Sequence, residues 1–198
     1  MHNIAVHRIG RRRGVALASG VAVLIAVVAS LLWAHPWRRV LHAHVVEATH
    51  TVQSIRVAEE TFRAETGSYA NISTALAANQ QTNHFALYPH APRQPGTRAV
   101  PWGGECPPSA CLMSWAFLPV HVDGPVRFGY SAVAGHAGER PTAVVTIDGA
   151  PVSWPVPDTD WYIVTAVGDV NGNGVFTTVL VTSFDNTLRI DGPPLDAQ

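Results

Sequence analysis

From Gly14 to Trp33 the chain runs for 20 residues without a charged side chain. At about 1.5 Å per residue a helix of that length reaches about 30 Å, the thickness of a bilayer's hydrocarbon core. No other stretch restricts the fold as much. Trp33 and Trp37 stand where interfacial aromatic side chains are expected, and the uncharged stretch ends at Arg38 and Arg39. Arg8 and Arg11 to Arg13 precede it. The excess of arginine before the span predicts a single-pass membrane helix with its N-terminus in the cytoplasm and a globular domain on the other side. A cleaved secretory signal is the alternative. Against it, the apolar run exceeds the roughly 7–15 residues usual for a signal, and no small-x-small site closes it. A twin-arginine signal on Arg12 and Arg13 faces the same very apolar run.

Pro36 predicts a kink or short break just beyond the span. Helical periodicity then resumes: Leu41, Val45, Ala48, Val52, Ile55 and Phe62 follow three-and-four spacing, with Glu59 breaking the stripe. Glu47, His50, Gln53, Arg56, Glu60 and Arg63 mark the opposite face, and Gly67 is the C-terminal stop. A further short helix is expected over 71–81, capped by Asn71 or Ser73. Residues 79–110, rich in Pro, Gly, Asn and Gln, read as a long surface loop.

Beyond Leu112 the pattern changes to β-branched and aromatic runs separated by Gly, Pro, Asn and Asp, namely 111–118, 126–134, 142–147, 161–168, 175–184 and 187–190. The short gaps predict an antiparallel meander, and the stripe of 41–62 is the cover available for one face of it. The expected fold class is α+β: a long N-terminal helix, membrane-spanning in its first half, packed on an antiparallel sheet. The expected divisions are a basic cytoplasmic leader (1–13), a transmembrane helix (14–35), an amphipathic helix (36–66) and a loop-and-sheet region outside the cytoplasm (67–198).

Several chemistries are disfavoured by the residues themselves. A formal net charge of −1 gives no footprint for nucleic acid. Ser114, Ser131 and Ser183 lie in strand-like runs without a nucleophile elbow, and no phosphate loop follows a strand, so an enzyme is not expected. His35, His42, His44 and His50 have no partnering acids at ligand spacing. Trp102, Trp115, Trp154 and Trp161 suit either packing or a carbohydrate surface. Cys106 and Cys111 read as a disulfide in an exported domain, with two free thiols as the other reading. Asp169, Asn171 and Asn173 alternate ahead of Gly174, like the first half of a calcium loop. Position 12 of that loop is Leu180, not an acid, and an Asn-Gly hairpin turn accounts for the same residues.

Together, "RRRGVALASGVAVLIAVV", "IRVAEETFRAETGSYA", "DGPVRFGYSAVAG" and "WYIVTAVGDVNGNG" resemble the type IV pilin family, including the pseudopilins of type II secretion. The resemblance covers nearly the whole chain. It implies a bacterial inner-membrane protein processed by a prepilin peptidase at Gly14, with Val15 as the mature N-terminus, then methylated and assembled with other pilin or pseudopilin subunits into a filament. Pro36 falls where many pilins carry a kinking proline. Two positions depart: Val15 replaces the usual larger apolar residue, and Ser19 stands where the family has a Glu that pairs with a neighbour's N-terminal amine. The resemblance therefore implies a minor or accessory subunit. A non-polymerising, membrane-anchored binding module on the same fold is the second expectation.

Overall fold

The computed structural model describes residues 10–76, 86–90, 93–185 and 187–192; within the helix, side chains are described for 23–30 and 42–66. The chain divides into two units, Met1–Val40 and Leu41–Gln198. Helix α1 spans Gly10–Thr66 and continues through Pro36 without a break. Among the described residues six strands follow: β1 Gly129–Gly135, β2 Thr146–Ile147, β3 Ala150–Pro151, β4 Trp161–Gly168, β5 Thr177–Thr182 and β6 Arg189–Asp191. Four form an antiparallel sheet in the order β1-β4-β5-β6, and β2 with β3 forms a separate hairpin.

The membrane-spanning first half is corrected. Among the described residues, no helix is long and apolar enough to cross a membrane. Residues 42–66 carry Glu47, Arg56, Glu59, Glu60, Arg63 and Glu65, which bars that stretch from the lipid interior. The single-pass inner-membrane location, with a cytoplasmic N-terminus and a periplasmic domain, is corrected with it. The α+β class with an antiparallel sheet remains.

In the unit Leu41–Gln198, the helical stripe forms one core with one face of the sheet. Val45, Ala48, Val52, Ile55 and Ala58 are buried in the same cluster as Tyr130, Ala132, Tyr162, Val164, Ala166, Val179 and Val181. The register explains the grouping. Tyr130 pairs with Ala166, Ala132 with Val164, and Val164 in turn with Val181, so these side chains share one side of the pleat. Leu41 has no described side chain, and Phe62 is partly buried against the cluster. The helix ends at Gly67, whose N–H donates to the Arg63 carbonyl at 2.8 Å with φ +87°, the left-handed cap that glycine adopts without strain.

The sheet's other face is covered as well. Trp161, Ile163 and Leu180 pack with Leu76, Val145 and Trp154, and Leu87, Val167 and Phe176 form a third cluster. Every residue of β4 and β5 is therefore buried, which is why these strands read as unbroken apolar or hydroxyl runs. On that side the Ser131 and Thr165 hydroxyls meet at 2.7 Å.

Two expected elements are replaced. Residues 71–76 form no helix: the Asn71 Oδ1 accepts from Ala134 N–H at 3.1 Å and the Ser73 Oγ from Ala132 N–H at 3.0 Å, so both caps seal the outer edge of β1. Residues 77–81 lie outside the described residues. The strand expected over 111–118 is a 3₁₀ turn, Trp115–Phe117, started by the Ser114 hydroxyl accepting from Ala116 N–H.

Cys106 and Cys111 are joined in a disulfide with a Cα–Cα distance of 5.8 Å. Its loop is laced to the segment that seals β1: Thr74 N–H donates to Ala110 O at 3.0 Å, and Leu112 N–H to Ile72 O at 2.6 Å. Closing so short a loop stabilises the fold by about 2 kcal/mol in the chain-entropy account. The double substitution Cys106→Ser, Cys111→Ser should lower the unfolding free energy by that amount, seen as a lower urea midpoint with a nearly unchanged slope. Amide exchange should accelerate first at 72–74 and 110–112; uniform acceleration would show that the bond does not act locally.

Candidate functional site

Residues 23–30 are the most distinctive surface. Val23, Leu24, Ile25, Ala26, Val27, Val28, Ala29 and Ser30 are all exposed, the large side chains by 46% to 64%. The one hydroxyl turns back on the helix, Ser30 Oγ donating to Val27 O at 2.8 Å. A helix apolar all round has no wet face to present, which makes this stretch the candidate interaction surface. Gly14 and Val15 lie upstream in the same helix, as does Ser19; their side chains are outside the described residues.

The Asp169–Gly174 loop joins β4 to β5. The Asp169 carboxylate accepts three backbone N–H groups: Gly172 at 2.8 Å and Asn173 at 3.1 Å on Oδ1, and Gly174 at 2.9 Å on Oδ2. Asn171 Oδ1 accepts from Asn173 N–H at 3.2 Å, and Asn173 Oδ1 from Val175 N–H at 2.8 Å. The three oxygen-bearing side chains thus close the turn by themselves, and a calcium ion would compete with four backbone N–H donors for them. Asp169 is buried and anchored from behind. Its N–H donates to Pro95 O, and a Cβ on Gly96 (φ +146°) would lie 2.0 Å from its carbonyl oxygen, so this crossing requires glycine.

The remaining candidates are mostly structural groups. Trp115, Trp154 and Trp161 are buried; Trp102 and Trp115 cluster with Tyr88 at ring separations of 5.1–5.6 Å. Trp154 Nε1 donates to Ala143 O and Trp161 Nε1 to Glu139 O. None of these three tryptophans offers a ring face for a sugar to stack on. Ser183 Oγ accepts from Tyr162 N–H. His42 and His50 are exposed and His44 half-buried; His35 has no described side chain. Among the described residues no three His, Cys, Asp or Glu side chains gather as a metal site.

One titratable group was legible only as an anomaly. Glu59, the acid that breaks the apolar stripe, is fully buried under the sheet. Its Oε2 accepts from Ala70 N–H at 2.8 Å, while Oε1 has no hydrogen-bond partner among the described residues. Burial pushes its carboxyl up to about 8, with the Ala70 bond opposing the rise and Glu60 adding to it. An acid at a stripe position is the sequence signal for such a group. Glu47 is raised in the same direction by burial, opposed by Arg127, whose N–H reaches its Oε1 at 2.8 Å.

No family model matches the chain, and no curated protein or solved structure matches it either.

Glu59 gives a pH signature. Its folded pKa of about 8 lies above the 4.5 ordinary for a glutamate. The stability it supports is complete below about pH 4.5 and is lost as pH rises through 8. Glu59→Gln keeps an acceptor for Ala70 N–H and cannot ionise. Unfolding midpoints from pH 7 to 9, above the titration of the histidines, should decline for the wild type and stay nearly level for the variant, parallel curves excluding this origin.

Proposed function

We propose that this chain is a structural, pilin-like subunit, acting as a minor or accessory component of a filament of the type IV pilus or type II secretion kind. One observation carries the reading: the exposed, charge-free helical stretch 23–30. The Leu41–Gln198 unit has its own core on both faces of its sheet, so this stretch is not needed to complete that core. Its natural cover is the same stretch on neighbouring subunits. Each large side chain transferred from water to such a bundle contributes roughly 1 kcal/mol or more. The antiparallel sheet under an amphipathic helix supports the same reading.

Ser19 supports the accessory role. Apolar contact favours a helical bundle without regard to register, and in the family the acid at that position selects the register. A subunit without the acid fits sparsely along a filament or at its end. The second reading, a non-polymerising binding module, rests on the same serine.

Leu24→Glu with Val28→Glu places two charges one turn apart in the stretch. The full-length wild-type chain should sediment as an assembly with copies of itself or with filaments, and the double variant should stay dispersed while its globular unit melts at the wild-type temperature. Gold labelling of native filaments should mark few or terminal positions. A wild-type chain that stays monomeric and never labels a filament would leave the binding module standing.

A further inference from the structure

We propose that Asn171 and Asn173 are the chain's sites of spontaneous deamidation, and that the Asp169 carboxylate is the positioning group that holds the reaction back. In this reaction the backbone nitrogen of the following residue attacks the asparagine Cγ. A C–N bond forms, the bond from Cγ to the side-chain nitrogen breaks, and ammonia leaves with the proton of the attacking nitrogen. Water then opens the succinimide to aspartate or isoaspartate. One water is consumed and one ammonia released, without oxidant or reductant. Glycine opposes the attack least, having no side chain. The sequence contains two Asn-Gly pairs, Asn171-Gly172 and Asn173-Gly174, and both lie in this loop.

The loop prepares the electrophiles. Asn171 Oδ1 accepts from Asn173 N–H and Asn173 Oδ1 from Val175 N–H. A donor on a carbonyl oxygen polarises its carbon toward attack, as an oxyanion site does. The nucleophiles are withheld. Gly172 N–H points to Asp169 Oδ1 at 2.8 Å and Gly174 N–H to Oδ2 at 2.9 Å. Attack requires each nitrogen to release its proton, and a carboxylate at hydrogen-bond distance makes negative charge on that nitrogen unfavourable. The same bonds hold both N–H groups on the carboxylate, so neither nitrogen is free to swing toward its Cγ. One carboxylate restrains both sites, and its burial and its ties to Pro95 and Gly96 hold it in place.

The test is peptide mapping by mass spectrometry of the full-length protein aged at mildly alkaline pH, folded and in urea. In urea, Asn171 and Asn173 should convert ahead of every other asparagine, and folding should suppress both. Asp169→Ala should raise the folded-state rate at both sites by about tenfold or more, the factor that corresponds to roughly 1.4 kcal/mol of lost restraint. Ser131→Ala removes the hydroxyl pair with Thr165 without touching the loop; it controls for general loosening and should leave the rate at the wild-type level. The proposal is overturned if the folded wild type deamidates as fast as the chain in urea, or if Ser131→Ala matches Asp169→Ala. It is equally overturned if Asp169→Ala leaves the rate unchanged or slows it, the last outcome making the carboxylate a base for the attack.

Discussion

The packing of the 45–58 stripe on the Tyr130–Tyr162 side of the sheet is the contact on which the rest of the Leu41–Gln198 unit depends. A four-stranded sheet whose strands are as short as three residues needs a cover to be stable in water, and the helix supplies it. Small residues make the approach close: Ala48 and Ala58 on the helix lie in one cluster with Ala132 and Ala166 on the sheet. Large side chains fill the space between, with Tyr69 and Tyr162 meeting edge to face at 4.8 Å. Loss of this contact would expose both the stripe and the tyrosine face. The edge-sealing segment 71–73 would lose its support with them, because Ile72 belongs to the same cluster.

What the sequence disclosed follows from periodicity. The stripe was readable because 3.6-residue spacing puts Val45, Ala48, Val52 and Ile55 on one face, and β4 and β5 were readable as unbroken runs around an Asn-Gly turn. Periodicity does not report who covers whom. The sequence offered the helical stripe as cover for one face of the sheet, while the second cover comes from scattered residues, Leu76, Val145 and Trp154, that no repeat connects. Asn71 and Ser73 have the chemistry of helix caps, and the edge of β1 competes for the same oxygens and wins. The run 111–118 has strand composition, but the disulfide and the Ser114 cap turn it.

The candidate surfaces differ in how far the sequence exposed them. The uncharged run was evident, while its exposure over 23–30 needed coordinates. The loop at 169–174 showed its alternating oxygens in the sequence. Which hydrogens those oxygens take was hidden, since three of the five bonds converge on the single residue Asp169. The same spacing that suits a cation suits a self-closed turn, because both require oxygens aimed into one small volume.

Buried titratable groups set limits on the fold from both sides of neutrality. His90 is buried with its Nε2 3.3 Å from Val126 O, and burial lowers its pKa from 6.5, with Arg93 acting in the same direction. Such a histidine supports stability above about pH 6.5, and that support is lost as pH falls through its folded value. His44, lowered by burial and by Arg127, adds a loss of the same sign. Both act on the segment that Glu47 ties to the helix through Arg127 N–H, and whose Val126 exchanges two 2.8 Å backbone bonds with Val100. Glu59 acts in the opposite sense at the far end of the helical stripe, favouring the fold while it stays protonated. Protonation of the two histidines therefore works against the packing around residues 126–127, with Glu47 opposing, and ionisation of Glu59 works against the helix end near Ala70. His44 and Glu59 lie toward opposite ends of the helical stripe, and it is that stripe which packs on the tyrosine face.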